Sequence, residues 1–77
     1  MYYEINVSKK NDKGEYHHYF ATHKRSITTQ NRLKTVLADF MEKFTYPEFN
    51  ISVSYVSEVG RSMSAEMFLE NPNKLTI

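Results

Sequence analysis

The sequence has no cysteine and no tryptophan, and only two glycines, two prolines and two aspartates in 77 residues. Without cysteine there is no disulfide framework, no thiolate metal site and no cysteine nucleophile, and a reducing, cytoplasmic setting is expected. Two glycines are too few for a glycine-rich phosphate loop, and no G-x-S-x-G turn is present. Asp12 falls in a polar stretch and Asp39 in a helical one, so no paired aspartates suggest acid–base chemistry. No apolar run approaches the roughly 18 residues that a spanning helix needs. The start Met-Tyr-Tyr-Glu has neither a basic n-region nor an apolar h-region, so no secretory signal and no membrane association are expected. A chain of this length supports one small domain over residues 1–77, with no spare core from which to carve a deep catalytic cleft. The expectation is a protein that is not an enzyme and needs no cofactor.

Aromatic residues are abundant. Six tyrosines and five phenylalanines exceed what so small a core can enclose, which places some rings at the surface. Tyr3, Ile5 and Val7 alternate with Glu4, Asn6 and Ser8, the period of a half-buried strand. Lys9 to Glu15 is polar, contains Asn11, Asp12 and Gly14, and reads as a hairpin loop. Tyr16 to Thr22 then forms the return strand, with Phe20 expected inward and His17 and Tyr19 outward.

Leu33, Val36, Leu37, Phe40, Met41 and Phe44 form one apolar stripe at helical spacing, over about four turns. Thr28 or Thr29 can cap its start, and Pro47 lies beyond its end. Phe49, Ile51, Val53 and Tyr55 alternate with Asn50, Ser52 and Ser54 as a further strand, which Gly60 should break. Ser64 followed by Ala-Glu-Met-Phe-Leu-Glu reads as a capped short helix, a fourth strand over residues 61–68 being the alternative. Phe68 and Leu69 are expected to close the core. The expected class is therefore α+β: a three- or four-stranded sheet, first strand central, with the long helix on one face. Two strands joined through a helix favour a parallel crossover. The other face, displaying Tyr2, Glu4, Asn6, His17, Tyr19, Asn50, Ser52 and Ser54, is expected to be open.

Charge is unevenly distributed although the net value is only +1. Residues 16–38 carry Lys24, Arg25, Arg32 and Lys34 and no acid, whereas residues 39–70 carry six acids against Lys43 and Arg61. Such asymmetry suits electrostatic recognition. Cations near a helix start oppose the macrodipole, so Lys24, Arg25, Thr28, Thr29 and Arg32 are read as an anion- or partner-binding segment. The three histidines show no metal-ligand spacing, and no metal site is expected. Together these features point to an interaction module of accessory, adaptor or inhibitor type. It would act through a charged surface and the open sheet face, on a protein partner or as a homodimer. A compact chain without a linker also suits a phage or mobile-element accessory product. The alternative is a weak nucleic-acid binder in which Tyr2, Tyr16 and Tyr19 stack bases beside the basic segment.

Overall fold

The fold, seen in a computed structural model, is described for residues 1–22, 27–56 and 61–75. Strands β1 (Tyr2–Lys10) and β2 (Tyr16–Ala21) precede helix α1 (Gln30–Lys43). Strands β3 (Phe49–Val56) and β4 (Arg61–Ser64), helix α2 (Ala65–Glu70) and a 3-10 turn (Pro72–Leu75) follow. The four strands form one sheet in the order β2-β1-β3-β4, each neighbouring pair antiparallel. Since β2 and β3 both oppose β1, they run parallel to each other with β1 between them, and α1 is the crossover that joins them. This is the α+β class expected, in its four-stranded form. The last expectation resolves into both alternatives in succession. Residues 61–64 pair with β3, and the chain then turns into α2, where Ser64 Oγ accepts from Met67 N at 3.2 Å. Gly60, expected to break β3, lies outside the described residues.

Local chemistry explains the element boundaries. The β1–β2 hairpin closes on Asn11, whose Oδ1 accepts from both Lys13 N and Glu15 N at 2.9 Å. Gly14 stands there at φ 82°, in the left-handed region where a Cβ is strained. At the start of α1, Thr29 is the cap, with its Oγ1 accepting from Arg32 N at 3.2 Å. The helix C-terminus is closed by Phe44 N donating to Phe40 O at 2.8 Å.

One irregularity changes the face pattern of β2. Val7 pairs with Phe20, but Ser8 pairs with His18, so Tyr19 is an extra residue at a β-bulge. A bulge shifts the two-residue alternation by one position. His17 thus falls opposite Lys9 on the helix side of the sheet, and His18 falls opposite Ser8 on the open side. The bulged Tyr19 also turns to the helix side, where its ring meets Phe44 and Phe49. Both His17 and Tyr19 therefore depart from the outward, open-face placement that simple alternation predicts. Phe20 does face the helix, against Phe40, but remains 45% exposed instead of buried.

The core lies entirely between the sheet and the elements on one side of it. Tyr3, Ile5 and Val7 of β1 meet Ile51 and Val53 of β3, Leu33 and Leu37 of α1, and Ala65 and Phe68 of α2. Ile27 and Leu75, on either flank, complete it. Phe68 is fully enclosed, but Leu69 is 46% exposed, so only the first of the two expected residues closes the core. Burial, then the neighbouring Tyr55 phenol, pushes the Tyr3 hydroxyl above its usual range, with a hydrogen bond to Gln30 opposing. Among the described residues no helix is long and apolar enough to cross a membrane.

Candidate functional site

The two faces of the sheet differ in chemistry. On the open face, register aligns Glu4 with Ser54 and Ser62, Asn6 with Ser52, and Ser8 with Asn50. Tyr2 sits at one end, opposite Val56. Asn6 Nδ2 donates to Ser54 Oγ at 3.1 Å, and the Ser54 and Ser62 hydroxyls share a hydrogen bond of 2.9 Å. Asn6, Ser54 and Ser62 thus bond to one another across three strands of a polar face.

The segment expected to bind an anion is only partly described. Lys24 and Arg25 lie outside the described residues. Thr28 and Arg32 are exposed. The Thr29 hydroxyl already accepts the Arg32 amide, so it is engaged in capping. Tyr2 and Tyr19, expected to stack bases side by side, stand on opposite faces of the sheet. Tyr16 is held elsewhere, its hydroxyl donating to Pro47 O at 2.5 Å. Desolvation, then the nearby Tyr46 phenol, raises the Tyr16 hydroxyl above its ordinary value. His17 and His18 lie on opposite faces of β2, and among the described residues no three metal-ligating side chains converge.

The helix side holds what sequence reading missed. Phe40, Phe44 and Phe49 form a chain of tilted and edge-on rings with Tyr19 and Phe20, with centroids 5.1–6.1 Å apart. Such geometry sets the positive edge of one ring against the negative face of the next. The Lys9 ammonium stands 5.7 Å from the centroids of both Tyr19 and Phe49. This cluster is not sealed. Tyr19 is 53% exposed, and Met41 and Tyr46, at the end of α1 and just beyond it, are 37% and 75% exposed.

Between the C-terminal end of α1 and the start of α2 lies an open groove of about 340 Å³. Ile51 and Phe49 of β3 form its floor, Met41 and Phe44 one wall, Ala65 and Glu66 the other, with Tyr46 at the mouth. The Glu66 carboxylate, the one charged group lining the groove, forms no ion pair among the described residues. Asp39 and Lys43, by contrast, pair with each other along α1 at 3.1 Å. The alternating signal of β3 and the helical stripe of α1 each showed a residue's own face. Neither showed that α2 stops short of α1 and leaves Phe44 and Phe49 half-covered. Compared with protein-family models, with curated proteins and with solved structures, the chain matches none of them, so its functional reading rests on this surface.

Proposed function

We propose that this chain is a non-enzymatic protein-interaction module, of accessory, adaptor or inhibitor type, that binds a partner through the aromatic and methionine surface at the α1–α2 groove. The observation that carries the reading is the gathering of Met41, Tyr46, Phe44 and Phe49 around one groove on a 77-residue domain. Apolar patches left open on a small domain are characteristic of docking surfaces, and aromatic and methionine side chains are enriched there. The open sheet face, where Asn6, Ser54 and Ser62 bond to one another, lies across the sheet from the groove. The acidic balance of residues 39–70, which contribute much of the groove, favours a protein over a polyanion. A cytoplasmic setting fits the absence of cysteine.

The test is capture of partners from the native host by the tagged wild type and by a Met41→Ser/Tyr46→Ser variant, with nuclease and at moderate and high salt. The reading expects a defined protein that survives nuclease and salt with the wild type and is lost with the variant. Nucleic acid that leaves with salt would replace it with the polyanion-binding alternative, because phosphate contacts weaken steeply as salt rises. Equal recovery of the same partner by both proteins would exclude the groove as the contact.

A further inference from the structure

We infer that the groove takes an arginine side chain presented by the partner polypeptide, an inference that rests on the interaction reading above and names its chemistry. Three features of the groove converge on that group. Its floor, wall and mouth carry the rings of Phe49, Phe44 and Tyr46, and aromatic rings attract cations. Met41 and Ala65 offer apolar contact to an aliphatic stem. Glu66, the single charge lining the groove, supplies a carboxylate that no cation of the described residues occupies.

Other occupants match less of this chemistry. A purely apolar side chain would fill the groove but leave the exposed Glu66 carboxylate unpaired. An acidic group would meet Glu66, and Glu70 one turn further along α2, with like charge. A lysine ammonium satisfies the charge, but it is strongly hydrated and cannot form a planar stack. A guanidinium lies flat on a ring, donates two parallel hydrogen bonds to one carboxylate, and is more weakly hydrated. The groove of about 340 Å³ is at the small end of ligand pockets, sized for one or two anchoring side chains and not for a whole segment.

The experiment titrates isotopically labelled protein with N-acetyl-arginine amide and, separately, with its neutral citrulline counterpart, following backbone amide shifts by NMR. The inference expects weak, saturable binding with shifts centred on Met41, Phe44, Tyr46 and Glu66. Binding of the citrulline compound should be weaker by about tenfold or more, the scale of a lost charge-assisted pair. Glu66→Gln should bring arginine down to the citrulline level while its spectrum remains that of a folded protein. Tyr46→Leu, at an exposed ring, should weaken arginine binding with the fold untouched. Equal binding of both probes, shifts scattered over the acidic residues, or indifference to Glu66→Gln would each overturn the proposal. So would a dimer of the protein alone that dissociates on Glu66→Gln, because a second copy would then be the occupant. Capturing the native partner with Glu66→Gln separates this claim from the broader one. Retention by Glu66→Gln with loss by Met41→Ser/Tyr46→Ser would sink the arginine inference and keep the interaction module. Retention by both variants would remove the groove reading itself.

Discussion

Replacing Phe68 by alanine tests how α2 is docked, and with it the existence of the groove. Phe68 is fully enclosed among the sheet and both helices, whereas its neighbour Leu69 is 46% exposed. Truncating a buried phenylalanine costs about 3–5 kcal/mol, through lost transfer energy and the cavity left behind. A domain of this length has about 4–12 kcal/mol of total stability, so Phe68→Ala consumes much of it. At about 4–8 °C per kcal/mol the melting temperature should fall by at least about 12 °C. With a urea slope of about 1 kcal/mol/M, the unfolding midpoint should move down by roughly 3–5 M. Leu69→Ala creates no enclosed cavity and should cost less than about 1 kcal/mol. The assay is urea unfolding of both variants, followed by circular dichroism and tyrosine fluorescence. If Leu69→Ala proved as costly as Phe68→Ala, α2 would be rotated about its axis, Glu66 would leave the groove wall, and the reasoning built on that wall would fail.

Four further outcomes are expected. Met67→Asp places a charge at a position 55% exposed and should change stability by no more than about 0.5 kcal/mol, as read by thermal unfolding. Thr29→Ala removes the α1 cap and should cost about 1 kcal/mol in urea unfolding, while Thr28→Ala, whose side chain caps nothing, should be near neutral. Gly14→Ala at φ 82° should destabilise the hairpin by about 1 kcal/mol, measured the same way. The Tyr3 hydroxyl is raised above its unfolded value, so its contribution is fully present below the ordinary tyrosine range and is lost as pH rises through the higher folded value. Alkaline unfolding should therefore be shallower in Tyr3→Phe than in the wild type, and identical alkaline limbs would contradict that burial.

Much of the fold was legible because it is set by local periodicity. The alternation of Tyr3, Ile5 and Val7, and the helical spacing from Leu33 to Phe44, each announce a face without reference to any partner. The same holds for caps, since Thr29 and Ser64 need only the amides three residues ahead of them. The ambiguity over residues 61–68 had a physical source. A four-residue strand leading directly into a six-residue helix is shorter than either pattern needs to declare itself.

The sequence alone determined the class of the domain, the central place of the first strand, the long helix and the segregation of charge. These follow from backbone preferences and from which side chains water expels. Tertiary structure alone decided the rest. The bulge at Tyr19 arises from how β2 registers on β1, and that one inserted residue exchanged the faces of His17 and His18 and sent Tyr19 to the helix side. Ile27, in the β2–α1 connection, and Leu75, in the closing 3-10 turn, joined the core only because packing brings both against the sheet. The groove exists only because β3, the end of α1 and the start of α2 meet there with too little side-chain volume to fill the space. Stripes and alternation show which way a residue faces, but the gap between three elements depends on how far apart packing holds them.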